Sequence, residues 1–153
     1  KRIAEYLNFF KDRYIGANPE SNNQTQAYSG PYQTEIEGVQ SFALIIPKEE
    51  VDANALIEAI KKFNGQNYPG LSLTVSSDML DDFRVLVKVE GLPERQSGLD
   101  YLRAIAKEQP VYGLIEHANY RNFIITPENE AIFRQNKNIL TYMEFYKQFY
   151  LKQ

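Results

Sequence analysis

A chain of 153 residues has room for one domain and some excess, and at that size folding buries about two-thirds of the surface the unfolded chain exposes. With 43% hydrophobic and 24% charged residues it is far from the balance of a disordered chain, and a formal charge of -3 with no clustered Lys/Arg argues against a nucleic-acid partner. No apolar run approaches the roughly 18 residues that cross a bilayer, and the lack of cysteine removes disulfides, thiolate nucleophiles and zinc-thiolate sites.

In chain order, Ile3, Leu7, Phe10 and Tyr14 share one helical face, and Gly16 is a natural stop. Because Lys1 already stands inside that pattern, the chain reads as part of a longer one. Residues 16–40 turn polar, with Asn18-Pro19 and Gly30-Pro31 as punctuation and Tyr28 and Tyr32 as the only aromatics, so they read as a linker. The linker is expected to be poorly packed, or ordered only by docking of those two rings. Ser41 to Ile46 is a near-continuous apolar run closed by Pro47, as in a central strand buried on both faces. Asp52 can cap a helix carrying Ala55, Leu56, Ala59, Ile60 and Phe63, ending at Asn64-Gly65.

Leu71, Leu73 and Val75 alternate with polar residues in a second strand, Ser76 to Asp82 read as a turn, and Phe83, Val85, Val87 and Val89 form a third strand. Gly91 and Pro93 open a helix that turns Leu99, Leu102, Ile105 and Ala106 inward and stops before Pro110. A connector, 111–121, leads to the strand Asn122 to Thr126, closed by Pro127, and two helical segments, Glu128 to Gln135 and Asn138 to Leu151, finish the chain. The order β-α-β-β-α-β predicts a ferredoxin-like α+β sandwich with an added C-terminal helical segment, its first and third strands central. The expected core comprises Leu44, Ile46, Leu73, Val85, Val87 and Ile124 against Leu56, Ile60, Leu102 and Ile105. The domain boundaries follow: a helix at 1–15, a linker at 16–40 and the sandwich at 41–153.

The first and last helices align without a gap: Ile3, Tyr6, Phe9, Lys11 and Tyr14 match Ile139, Tyr142, Phe145, Lys147 and Tyr150. Either two amphipathic helices happen to look alike, or 1–15 is the tail of a preceding copy of the module. In the last helix Tyr142, Phe145 and Phe149 share one face, and Met143, Tyr146 and Tyr150 the next, a wider apolar arc than packing on one surface requires. Two readings are open: both faces are buried, or Tyr142, Phe145, Tyr146, Phe149 and Tyr150 form a strip that docks a partner.

His117 is the only histidine and reads as a hydrogen-bonded surface residue. Asp78, Asp81 and Asp82 lack the spacing of a calcium loop and read as a solvated turn. Asn23-Gln24-Thr25 matches a short glycosylation pattern. No catalytic, cofactor-binding or metal signature is visible, so the expectation is a non-enzymatic binding module with no cofactor.

The blocks SFALIIP, LIEAIKKFN, LSLTVSS, FRVLVKVEGL, LDYLRAI, YRNFIITPEN and ILTYMEFYKQFYL resemble the C-terminal module of tetratricopeptide-repeat lipoproteins of the Bacteroidetes, the PorW/SprE group. That resemblance implies a periplasmic, outer-membrane-associated role in type IX secretion and gliding motility, with other envelope proteins as partners. This sequence departs from that group in having neither its helical repeats nor its lipidated cysteine. A weaker similarity joins Phe83 to Val87, Gly91-Leu92 and the helix Leu99 to Ile105 to SPOR domains, which implies peptidoglycan as an alternative partner. In the first strand, Ala43, Leu44 and Ile45 replace the Gln and Gly-aromatic features usual in SPOR domains.

Overall fold

The computed structural model describes residues 28–151. The chain divides into two compact units, Lys1–Pro31 and Tyr32–Gln153; in the first, residues 28–31 carry no helix or strand. The expected helix at 1–15, its match to the last helix and the Asn23 pattern lie outside the described residues.

The second unit is a ferredoxin-like α+β fold. Strands β1 (Gln40–Pro47), β2 (Thr74–Met79), β3 (Arg84–Leu92) and β4 (Arg121–Ile125) form one antiparallel sheet in the order β2-β3-β1-β4, so β1 and β3 are central. Alternation along β1 sends Phe42, Leu44 and Ile46 to one face and Ala43 and Ile45 to the other. All five are buried, which explains the unbroken apolar run. Helices α1 (Ala53–Asn67) and α2 (Arg95–Ile105) cover the first face. There Tyr101 packs edge-on against Phe42 and Phe63.

Local chemistry sets the boundaries. Asp52 accepts from the main-chain N–H groups of Asn54 and Ala55 and starts α1, as its sequence position predicts. The helix runs past Gly65 because Asn67 donates to the Phe63 carbonyl at its end. At the start of α2 the Ser97 hydroxyl accepts from the Glu94 N–H and donates to its carbonyl. Gly91 sits at φ 111°, a conformation that disfavours any side chain, where the β1–β3 register shifts by one residue so that Leu92 still pairs with Gln40.

The β2–β3 hairpin lies later in the chain than the alternation predicts. Ser76 to Met79 continue the strand, since pairing with Val85 to Lys88 outweighs their turn-like composition. The turn is instead held at Asp81, whose Oδ1 accepts from the N–H groups of Phe83 and Arg84 while Oδ2 takes the Arg84 guanidinium. Phe83 is therefore at the tip and 77% exposed. Leu73 and Leu102, expected in the core, are only half-buried, whereas the other eight expected core residues are buried.

The second face is closed by additions to the sandwich. After β4, Thr126 caps α4 (Pro127–Asn136), which lies over the sheet with Phe133 against Phe123. Lys88 on β3 meets Glu130 at 2.7 Å, Glu130 meets Arg134 at 2.9 Å, and Arg134 meets Asp78 on β2 at 3.2 Å. A charge chain of this kind keeps a largely buried carboxylate and ammonium paired. Burial alone would lower the Lys88 pKa, but the hydrogen bonds and charges of Glu130 and Glu90 outweigh it and raise it.

The connector 111–121 begins as a short helix, α3 (Gln109–Tyr112), and buries Val111, Tyr112 and Ile115. Residues 32–39, the end of the expected linker, form a strap without helix or strand. Tyr32, Ile36 and Gln40 are buried at every fourth position. Asn129 on α4 clamps the strap by accepting from the Gln33 N–H at 2.7 Å and donating to its carbonyl at 2.9 Å. Gln40 donates to the carbonyls of Ile36 and Gly38 and accepts from the Tyr150 hydroxyl.

Candidate functional site

The last helix, α5 (Ile139–Tyr146), continues as a wider π-helical turn, Lys147–Leu151. Of the five rings expected as a docking strip, Tyr142, Phe145, Tyr146 and Tyr150 are buried and Phe149 is half-exposed. The wide apolar arc is used inside the fold: Tyr142 contacts Tyr32, Phe123 and Phe133, and its hydroxyl donates to the main-chain oxygen of Ile124 on the edge strand β4. The turn stacks Tyr146 on Tyr150 at 4.8 Å and carries the Tyr150 hydroxyl to Gln40. Burial pushes the phenol pKa values of Tyr142 and Tyr150 upward and that of Tyr146 up to about 12. Both faces of the helix are thus covered, and a strip made of these five rings is not on the surface.

The polar residues weighed from sequence are engaged locally. His117 places Nε2 2.8 Å from the Glu50 carbonyl. Asp81 is held by Arg84, whose hydrogen bond keeps its carboxyl down to about 2, and Asp78 pairs with Arg134. Among the described residues no group of three or more His, Asp or Glu could hold a metal ion.

A groove of about 530 Å³ lies at one end of the sheet, where β3 and β4 begin and α4 turns into α5. Arg84 and Arg121 enter from the strand starts. Lys137 enters from the turn, where it is the one non-glycine described residue in the left-handed conformation, at φ 55°. Such a residue at a helix C-terminus stops α4 and reverses the chain. Asn138 then caps α5 by accepting from the Thr141 N–H.

The charges of the groove are unequal. Arg84 is neutralised by Asp81, but Arg121 bonds only to the Asn119 side chain and the Tyr120 carbonyl, and neither Arg121 nor Lys137 is in an ion pair among the described residues. Among the described residues no carboxylate lines the groove, and Leu140 stands on its rim 70% exposed. The positive end of α5 is on the same wall. The site can therefore attract an anionic group and cover an apolar side chain beside it.

Sequence reading missed this groove because Arg84, Arg121 and Lys137 are scattered along the chain. The one local signal was the run Asn136-Lys137-Asn138 between two helical patterns. Comparison of the chain with family models, with curated proteins and with solved structures finds no match.

Proposed function

We propose that this domain is a non-catalytic protein-interaction module, and that it holds an acidic segment of a partner protein in the groove at the end of the sheet. The observation that carries this reading is the convergence of Arg121 and Lys137, unpaired with any carboxylate among the described residues, beside the exposed Leu140. Exposed ion pairs contribute about 0.2–1 kcal/mol each, so the groove suits a reversible contact in which the apolar rim adds to the charges. The resemblance of Phe42 to Leu151 to the PorW/SprE group supports a place for the module in a periplasmic, outer-membrane-associated assembly serving secretion or gliding.

The SPOR-like similarity keeps a second occupant in view, a glycan of peptidoglycan. Against it, no aromatic ring among the described residues lines the groove to stack on a sugar. The test titrates the protein with a blocked peptide of alternating glutamate and leucine, and pellets it in parallel with purified sacculi. The expected result is salt-sensitive peptide binding, weakened about tenfold by Arg121→Glu with Lys137→Glu, and no co-sedimentation. Co-sedimentation abolished by the same pair would overturn the protein reading in favour of glycan, and peptide binding indifferent to the pair would remove the groove from it.

A further inference from the structure

The two edges of the sheet are treated differently. At β4, the Tyr142 hydroxyl on α5 reaches the Ile124 carbonyl, so a helix occupies one main-chain acceptor of that strand. At β2, pairing among the described residues exists on the β3 side only. Open edges are commonly blunted by lysine, proline or a bulge, because their unpaired main-chain groups accept another strand. The β2 sequence, Thr74–Met79, contains none of these, and its one charge, Asp78, is tied to Arg134.

Beside this edge lies a second groove, of about 490 Å³, between β2 and the end of α1. Leu71, Leu73 and Val75, on alternate positions, make one wall and remain half-exposed, so a stripe of which Leu73 was expected in the core is left unfinished. The other wall holds Lys61, Asn64 and Tyr68. Asn64 is 7% exposed; its Oδ1 accepts from the Tyr101 hydroxyl at 2.5 Å, but its Nδ2 has no acceptor among the described residues. A buried amide without its acceptor is costly, and an acceptor brought from outside the fold would remove that cost.

We propose that β2 and this groove accept an extended peptide segment as a fifth strand, with apolar side chains laid on Leu73 and Val75 and an acidic side chain facing Lys61. Main-chain pairing along the edge supplies affinity, and the alternate side chains supply selectivity. The acidic character follows from charge: among the described residues Lys61 is the only charged side chain in the lining, and its contact with Glu58 is long, at 3.8 Å, and exposed. A second copy of this chain, set edge to edge about a dyad, would bring a second Lys61 to the joint where the peptide brings a carboxylate. This site is separate from the Arg121 groove and does not depend on it.

The probe is a blocked hexapeptide with valine, glutamate and valine at alternate positions, so that all three share one face, and threonine between them; a lysine-for-glutamate version is the control. Fluorescence anisotropy should show binding of the glutamate peptide alone, and hydrogen exchange should slow at amides of 74–79. Leu73→Lys with Val75→Lys should weaken binding at least tenfold, and Arg121→Glu should leave it unchanged. Because Leu73 and Val75 are half-exposed, the double variant should still fold, which its melting curve checks; Lys61→Glu, at an exposed helix position, reverses the preference without that risk. Equal binding of both peptides, or protection confined to other elements, would overturn the proposal. So would a doubled mass in solution without peptide binding, which would assign the edge to a second copy.

Discussion

Replacing Asn129 with alanine removes the clamp between α4 and the strap. Asn129 is wholly buried and makes two main-chain bonds to Gln33, at 2.7 and 2.9 Å. At about 1 kcal/mol net for each, the direct loss is about 2 kcal/mol, or roughly 6–10 °C in Tm for a domain of this size. The cost has a ceiling, because once the strap lifts no further strap contact can be lost. Tyr32→Ala deletes a buried ring that touches Tyr142 and Phe145 and should cost about 3 kcal/mol on its own. The double variant should therefore lose at least about 1 kcal/mol less than the sum, since both changes free the same segment. Urea denaturation of the four proteins gives the coupling, and limited proteolysis within 32–39 reports the strap directly. Additive losses, or an Asn129→Ala protein that keeps both its stability and its protease resistance, would refute the idea that one amide holds the strap.

Gly98→Ala would place a methyl group 2.8 Å from the Ile124 Cγ2, between α2 and β4, and should cost about 1–3 kcal/mol in urea denaturation despite the better helix propensity of alanine. The Asp81 carboxyl is held down to about 2 by Arg84, so its stabilisation is complete above the ordinary carboxyl range near ~3.9 and is lost as pH falls toward 2. Thermal melts across that window should fall less steeply for Asp81→Asn than for the parent, and parallel curves would refute the assignment. Phe83→Ser should change stability by less than about 0.5 kcal/mol because the ring is at the exposed hairpin tip, whereas Val87→Asp, fully buried in β3, should prevent folding, as circular dichroism would show.

The elements easiest to read were those whose signal is local and agrees with their surroundings. The β1 run, the Asp52 cap and the Pro127 stop each state one structural choice, and the element order then leaves few sheet topologies. The hairpin was displaced because Ser76, Ser77 and Asp78 have turn chemistry but strand partners, and those partners are contributed by β3. The strap was hidden for a different reason: Tyr32 and Ile36 are isolated anchors in a polar stretch, and their partners Asn129 and Tyr142 are far along the chain. The aromatic excess of α5 was visible, but not its destination, since a helix buried on two sides and a helix with a docking strip share the same pattern. Neither groove could be read, because charge convergence and an open strand edge are properties of the assembled sheet.

The contacts of Tyr150 with Gln40 and of Tyr32 with Tyr142 and Phe145 fasten the end of the folded unit to its beginning. Tension applied through the two ends of Tyr32–Gln153 would load this seam before it reaches the sheet. The seam is made of separate rings and single hydrogen bonds that can peel in turn, whereas β1 is flanked by β3 and β4 along its length and must be sheared from both at once. Pulling on the ends should therefore produce a weak early extension followed by a stronger rupture, giving the domain some slack under load while its sheet stays closed.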